Sequence, residues 1–225
     1  MIALSSPPHA YDIDGDTVEH SLCQGCGLCS MVCPSHALSL NGLDTSTHYY
    51  QKIPTFNADL CIHCGRCSAV CPSGTMHQTR FAALLHHVRA AQPRVMVFIC
   101  CNVQTRMPSN TGTAPSLLTH AQILPHGTTL ALPDSILLEQ VRCIGRVGAR
   151  LLDSLVQAGV QRIVLISGPL HLCHYQVGLQ IIDAQCTGLN SIYQAYGVDA
   201  RIHIKRWIPE NIQELKDYIT SFVEA

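Results

Sequence analysis

Charged side chains, long apolar runs and an export signal are scarce or missing in this 225-residue sequence. Only 13% of the residues are charged while 47% are hydrophobic, so the chain can build a core and disorder is excluded as its main state. No run of about 18 apolar residues occurs, so we expect no transmembrane helix. Residues 1–8 contain neither a basic segment before an apolar one nor paired arginines. We therefore expect a cytoplasmic protein without a secretory signal.

Acidic residues are absent from one long stretch of the chain. Residues 60–133 contain no Asp or Glu but hold five Arg and six His, although the net charge of the whole chain is only −1. The near-neutral total predicts no nucleic-acid partner. We expect the cations of this stretch, Arg80, Arg89 and Arg94 among them, to compensate negative charge nearby and to pack against a neighbouring subunit.

Patterns for bond-making catalysis are also missing. The sequence shows no Walker loop, no Gly-x-Gly-x-x-Gly after a strand and no Ser-His-Asp arrangement, and Gly145–Gly148 is too short for a dinucleotide fingerprint. We therefore expect the chain itself to catalyse no bond chemistry.

Cysteine, by contrast, is abundant. The chain has 13 cysteines, and eight of them fall within residues 23–71. These eight form two runs of the pattern Cys-x2-Cys-x2-Cys-x3-Cys-Pro, inside an internal duplication of Ser21–Leu40 and Asp59–Met76. In a cytosolic chain such richness favours metal binding over disulfides.

The spacing of the two runs is typical of four-iron clusters. Three thiolates at x2 spacing wrap one face of a cluster, and the fourth, followed by Pro, reaches the other cluster. We expect each Cys-Pro step to begin a helix. Structural zinc and disulfides are the alternatives, but a Cys-Pro ending is not a zinc signature. The predicted ligands of the first cluster are Cys23, Cys26, Cys29 and Cys71. Those of the second cluster are Cys61, Cys64, Cys67 and Cys33.

Two polar residues, His63 and Arg66, lie inside the second run. A cation near a cluster raises its reduction potential by stabilising the reduced form. We therefore predict that the second cluster has the higher potential. The alternative is that both side chains face solvent and have little effect.

Residues 20–77, in which both runs are complete and in tandem, resemble the bacterial two-[4Fe–4S] ferredoxin module. The resemblance implies an α+β ferredoxin-like fold with two clusters that relay electrons. We divide the chain accordingly into an arm (1–20), the cluster module (21–78), a linker helix (79–93) and a C-terminal domain (94–225).

The C-terminal domain alternates strand and helix patterns, which favours an α/β fold with an open, mostly parallel sheet. The predicted strands are Val95–Cys100, Ile136–Val141, Arg162–Ser167 and Arg201–Trp207. The predicted helices are Ala149–Ala158, Tyr175–Tyr196, Pro209–Val223 and a short one near Ser116–Ile123. Ligands gather at the carboxyl ends of such strands, where cysteines occur here three times.

These strand-end segments resemble the delta subunit of methyl-viologen-reducing hydrogenase over about residues 94–225. The matching residues are Cys100, Cys101, Asn102, Cys143, Gly145, Arg146, Gly168, Cys173, His174 and Tyr175. The departures are Val103, Gln104, Ile144 and Pro169, which replace two family cysteines, a Trp and a small hydroxyl residue. The resemblance implies one [2Fe–2S] cluster and electron transfer to heterodisulfide reductase.

Two interpretations of the C-terminal thiols stay open. Cys100, Cys101, Cys143 and Cys173 can hold a [2Fe–2S] cluster, with His171 or His174 able to replace one of them, or the cluster is lost and the domain is a docking scaffold. Cys186, on a predicted helix, is expected to be a small buried hydrophobic residue.

The sequence thus predicts a non-catalytic electron-transfer subunit of a larger cytoplasmic oxidoreductase complex. By resemblance, its partners are a flavoprotein like heterodisulfide reductase and a hydrogenase, formate dehydrogenase or other oxidoreductase subunit. The alternatives are a stand-alone reductase that uses a C-terminal cluster or the Cys100–Cys101 thiol pair, and a scaffold whose clusters are structural.

Overall fold

The computed structural model describes most of the chain. The described residues are 16–18, 23–40, 54–74, 76–100, 121–123, 129–169, 171, 173, 176–207 and 212–224. The described part therefore does not include residues 1–15, Cys101 or His174.

The N-terminal module repeats itself every 38 residues. Its elements in chain order are β1 (Asp16–Val18), α1 (Leu28–Met31), β2 (Leu38–Leu40), β3 (Pro54–Phe56), α2 (Arg66–Val70) and β4 (Met76–Gln78). β1 pairs antiparallel with β4, and β2 pairs antiparallel with β3. The registers Asp16↔Gln78 and Leu40↔Pro54 are related by the same 38-residue offset, so the module consists of two equivalent halves. The strand β1 belongs to the stretch that we assigned to the arm.

The prediction that each Cys-Pro step begins a helix is wrong. The helices α1 and α2 lie before the fourth cysteine of each run, and Cys71 is the extended residue that follows α2, with φ −71° and ψ 112°. The physical reason is that the ring of the following Pro disfavours the helical conformation of the residue before it. Each Cys-Pro step therefore ends a helix.

The linker helix lies where the apolar spacing predicts it. Helix α3 (Thr79–Ala91) ends shortly before Pro93 and buries Phe81, Leu84 and Val88. It leads directly into the first strand of the C-terminal domain. Its buried face packs against the sheet and so joins the cluster module to it.

The C-terminal domain, called the sheet domain below, is built on four parallel strands. They are β5 (Val95–Cys100), β8 (Ile136–Val141), β9 (Arg162–Ser167) and β10 (Arg201–Arg206), in the order β10-β9-β5-β8. The helices are α4 (Ala149–Gln157), α5 (Gln176–Ala195) and α6 (Ile212–Glu224). The mostly parallel sheet with its helices is confirmed. The helix expected near Ser116–Ile123 is wrong for residues 121–123, which form β6 (Ala121–Ile123) and pair with β7 (Thr129–Ala131).

Both faces of the sheet are covered by apolar side chains. On one face Phe98 and Leu165 pack with residues of α3, α4 and α5, and on the other Val97 and Val164 pack with Leu215 of α6. Because the strands are parallel, their carboxyl ends share one edge, where Cys100 of β5 is paired with Val141 of β8. Among the described residues, no helix has the length and apolar character needed to cross a membrane.

Candidate metal centres

The thiols of the first run meet one thiol of the second. Cys29 interacts electrostatically with Cys23, Cys26 and Cys71. Burial raises the pKa of Cys29 to about 11; a hydrogen bond from the backbone of Ser30 opposes the rise, and the three neighbouring thiols add to it. Cys23, Cys26 and Cys71 therefore all lie within electrostatic range of Cys29, and Cys71 comes from the other half of the repeat.

The other four thiols surround a cavity. Its wall contains Cys33 of the first run and Cys61, Cys64 and Cys67 of the second. The apolar residues Leu38 and Phe56 also line it, and Leu38 is only 4% exposed. The second predicted ligand set thus faces a common cavity with a partly apolar wall.

Hydrogen-bond donors point at several of these sulfurs. Burial acts to raise the pKa of Cys33, but hydrogen bonds outweigh it and hold the pKa below its usual value. They come from the backbone of Leu38, Ser35 and Ala37 and from the Ser35 hydroxyl. The backbone N–H of His63 donates to Cys61 Sγ at 3.4 Å. Donors of this kind stabilise thiolate, which is the form that binds metal.

The donor chemistry is that of a multi-iron group. The second set of four thiols lines one cavity, and the first set supplies four more sulfur donors. Four cysteine thiolates are the ligands that a [4Fe–4S] cluster takes. The residues present therefore fit [4Fe–4S] groups.

The backbone around the thiols repeats with the same offset of 38 residues. Three pairs of equivalent positions all have positive φ, where a residue other than glycine is strained by about 1–2 kcal/mol. The pairs are Gly25 with His63, Gly27 with Gly65, and His36 with Gly74. His63 thus occupies the position of a glycine in the first run, which superposing the two repeats of the sequence would have revealed.

Two thiols of the sheet domain lie beside the second run. Cys143 and Cys100 are 5% and 6% exposed, and Cys100 Sγ donates to the carbonyl oxygen of Arg142 at 3.5 Å. Burial raises the pKa of Cys143 to about 12, a backbone hydrogen bond from Gly145 lowers it, the charges of Cys100 and Cys64 raise it, and that of Arg66 lowers it. Cys143 is therefore within electrostatic reach of both Cys100 and the second run.

The remaining C-terminal candidates are placed differently. Cys173 is half-buried against the core on the α5 side of the sheet, and His171 is exposed. Cys101 and His174 lie outside the described residues. Cys186 is 3% exposed within α5, and burial raises the pKa of its thiol to about 12, as expected for a small core residue.

The second run packs directly on the turn after β8, which the sequence analysis missed. Helix α2 contacts this turn, and a Cβ built on Gly148 would lie 2.8 Å from Ala69 Cα. A Cβ on Gly178 would lie 2.9 Å from Arg66 Cδ and 3.4 Å from Cys143 Sγ. We call this interface the junction; its residues are Gly65, Arg66, Ala69, Arg146, Gly148 and Gly178.

Two cations are buried at the junction. Arg66 is 2% exposed and Arg146 is 3% exposed. Arg146 lies against Gly65, whose Cβ would be 2.7 Å from Arg146 Nε, and its guanidinium is 5.7 Å from the centre of the Phe81 ring. The alternative that Arg66 faces solvent is therefore wrong.

Two of the three cations expected to face a neighbouring subunit are exposed in this chain. Arg89 and Arg94 are both exposed, and Arg94 Nε donates to Gln161 Oε1 at 3.1 Å. Arg94 precedes β5 and so lies at the amino edge of the sheet, opposite the edge that carries Cys100. The side chain of Arg80 is outside the described part, and packing of these cations against a partner stays a prediction.

Two sets of four thiols on a duplicated module are typical of an iron–sulfur protein. More particularly, residues 22–75 match the family model of the 4Fe-4S dicluster domain, and residues 120–225 match that of the methyl-viologen-reducing hydrogenase, delta subunit. The N-terminal part of the chain is thus similar to a dicluster domain and the C-terminal part to a hydrogenase delta subunit. The second match contains Cys143 and Cys173 but begins after Cys100. No curated protein matches the chain.

Proposed function

We propose that this chain is an electron-transfer subunit of a larger cytoplasmic oxidoreductase complex and that its module has the two-cluster ferredoxin-like fold. The observation that carries the proposal is the exchange of one thiol between the two runs. Cys71 joins Cys29 and its neighbours, while Cys33 joins Cys61, Cys64 and Cys67. This crossed pattern is the one that two-cluster ferredoxins require.

The residues of the chain would hold two [4Fe–4S] clusters and control their surroundings. The first set is Cys23, Cys26, Cys29 and Cys71, and the second is Cys61, Cys64, Cys67 and Cys33. When bound, such clusters supply one-electron redox chemistry. Leu38 and Phe56 exclude water from the second site, the donors around Cys33 stabilise thiolate, and His63 and Arg66 tune the second site.

The sheet domain would connect this module to its partners. The match to a hydrogenase delta subunit supports a role between a heterodisulfide-reductase-like flavoprotein and a hydrogenase, formate dehydrogenase or other oxidoreductase subunit. A [2Fe–2S] cluster on Cys100, Cys101, Cys143 and Cys173 is supported by the neighbouring positions of Cys100 and Cys143. Burial of Cys100 speaks against the alternative of a reactive thiol pair, because attacking thiols are accessible.

Iron and acid-labile sulfide analysis of the anaerobically purified chain tests the cofactor part of this proposal. About eight of each per chain supports two [4Fe–4S] clusters, and about ten supports the additional [2Fe–2S] cluster. A zinc protein, or one without sulfide, overturns the proposal.

Purification of the complex from its native source tests the partner part. We expect a flavin-containing subunit and a second oxidoreductase subunit to co-purify with the chain and to reduce its clusters. Clusters that no co-purifying donor reduces would favour the structural scaffold instead.

A further inference from the structure

The two halves of the module have the same backbone but different neighbours. With the 38-residue offset, Leu28 and Met31 of α1 correspond to Arg66 and Ala69 of α2. Leu28 is 39% exposed and Met31 is 79% exposed, whereas Arg66 is 2% exposed because the sheet domain covers it. The sheet domain therefore covers the helix of the second half of the repeat and leaves the helix of the first half exposed.

The cover brings positive charge to the second run from both domains. Arg66 belongs to the run itself, and Arg146 comes from the turn that follows β8, about 80 residues further along the chain. Arg146 lies against Gly65, the residue between Cys64 and Arg66, and the side chain of Arg66 continues towards Cys143. Two buried cations that are far apart in sequence thus lie at the junction, Arg146 against Gly65 and Arg66 near Cys143, which also interacts electrostatically with Cys64.

Buried cations of this kind act strongly on a redox site. Moving an ion out of water costs several kcal/mol, and nearby negative charge must offset that cost. An oxidised four-iron cluster with its thiolates carries a charge of about −2, and reduction adds one more negative charge. A buried guanidinium therefore favours the reduced form more than an exposed one, which water and salt screen.

We infer that the sheet domain raises the reduction potential of the second site through Arg66 and Arg146 and leaves the first site unaffected. This inference rests on the proposed function, since it concerns the clusters that the proposed function requires. An electron shared between the two sites is then held at the second, which is the site next to Cys143 and the sheet domain.

The test is an EPR-monitored redox titration of the full-length holoprotein and of variants of it. We expect Arg66→Leu and Arg146→Leu to lower the same midpoint potential by at least 59 mV, a tenfold change in a one-electron equilibrium, and to leave the other potential unchanged. The matched control is Arg89→Leu, which removes an exposed cation and should move neither potential. Leu28→Arg places a cation at the equivalent position of the first run. Because this position is 39% exposed, the variant should raise the other potential by less than Arg66 raises its own, and this smaller shift assigns the two signals.

Arg146→Gln and Arg146→Lys keep the experiment decisive when the Leu variant does not assemble. The Gln variant keeps a polar side chain without the charge and should lower the midpoint potential of the second site. The Lys variant keeps the charge and should leave that potential close to the value of the unmodified protein. Unchanged potentials in Arg146→Gln, or equal shifts of both potentials, overturn the inference. Absence of iron and sulfide from the unmodified chain would instead overturn the proposed function, so the two failures are distinguishable.

Discussion

The first and second cysteine runs have nearly the same backbone structure but different surroundings. Strand register, positive-φ positions and helix placement repeat with an offset of 38 residues. The first run exposes Cys26 and Met31, whereas the second is closed by the sheet domain. Since the backbone is common to both, any difference in redox behaviour comes from the side chains that differ between the runs, such as Leu28 and Arg66, and from what packs against each run.

Fusion of the two domains therefore does more than hold them close together: it gives the two cysteine runs different surroundings. At the junction, Arg146 and Cys143 of the sheet domain lie beside the second cysteine run. The equivalent face of the first run, with Leu28 and Met31, is exposed. Close backbone approach makes this possible, because Gly148 and Gly178 have no side chain to keep α2 away. A chain with the same two domains on a loose linker would lack this asymmetry.

The largest effect is expected from removing one ligand from each run. Cys64→Ala and Cys26→Ala should each lose about four iron atoms per chain. Cys64→Ala should also lower the free energy of unfolding by roughly 3–5 kcal/mol more than Cys26→Ala does, because it removes negative charge near the buried Arg66 and Arg146. Iron analysis together with anaerobic denaturant unfolding measures both quantities. Equal destabilisation by the two variants would contradict the role given to the junction.

A smaller effect is expected from exchanging the equivalent residues Met31 and Ala69. Ala69→Met inserts a long side chain where Gly148 already contacts the helix, and should cost about 1–3 kcal/mol of unfolding free energy through overpacking. Met31→Ala, at a 79% exposed position, should change it by less than about 0.5 kcal/mol. Similar costs for the two substitutions in thermal unfolding would show that α2 is not closed by the sheet domain.

Much of the sheet domain could be predicted from the sequence because three of its strands are largely apolar. β5 is a continuous apolar run, β9 has an apolar centre between Arg162 and Ser167, and β8 is apolar except for the buried Glu139 and Gln140. The grouping of the eight thiols likewise follows from spacing. Arg146 and Gly148 could not be recognised as junction residues, because their contacts join positions about 80 residues apart and no local pattern encodes such a contact. The helix assigned to the Cys-Pro steps failed because Pro was read as a helix start, although it also restricts the residue before it.

Effects of opposite sign are expected from two glycine substitutions in the sheet domain. Gly148→Ala places a Cβ against the backbone of Ala69, so α2 must shift and the unfolding free energy should fall. Gly188→Ala on α5 meets no atom within 4 Å and should raise it by up to about 1 kcal/mol, since Ala favours a helix over Gly. Denaturant midpoints of the two holoproteins give the comparison, and a stabilising Gly148→Ala would contradict the close approach at the junction.

The most direct test of the account is a redox titration of the unmodified full-length holoprotein, followed by EPR. The account predicts two [4Fe–4S] centres whose midpoint potentials are separated by at least 59 mV, a tenfold difference in the one-electron equilibrium, although their ligand sets are equivalent. Two centres that titrate together with a single potential would contradict it, because identical potentials would mean that the sheet domain does not distinguish the second run from the first.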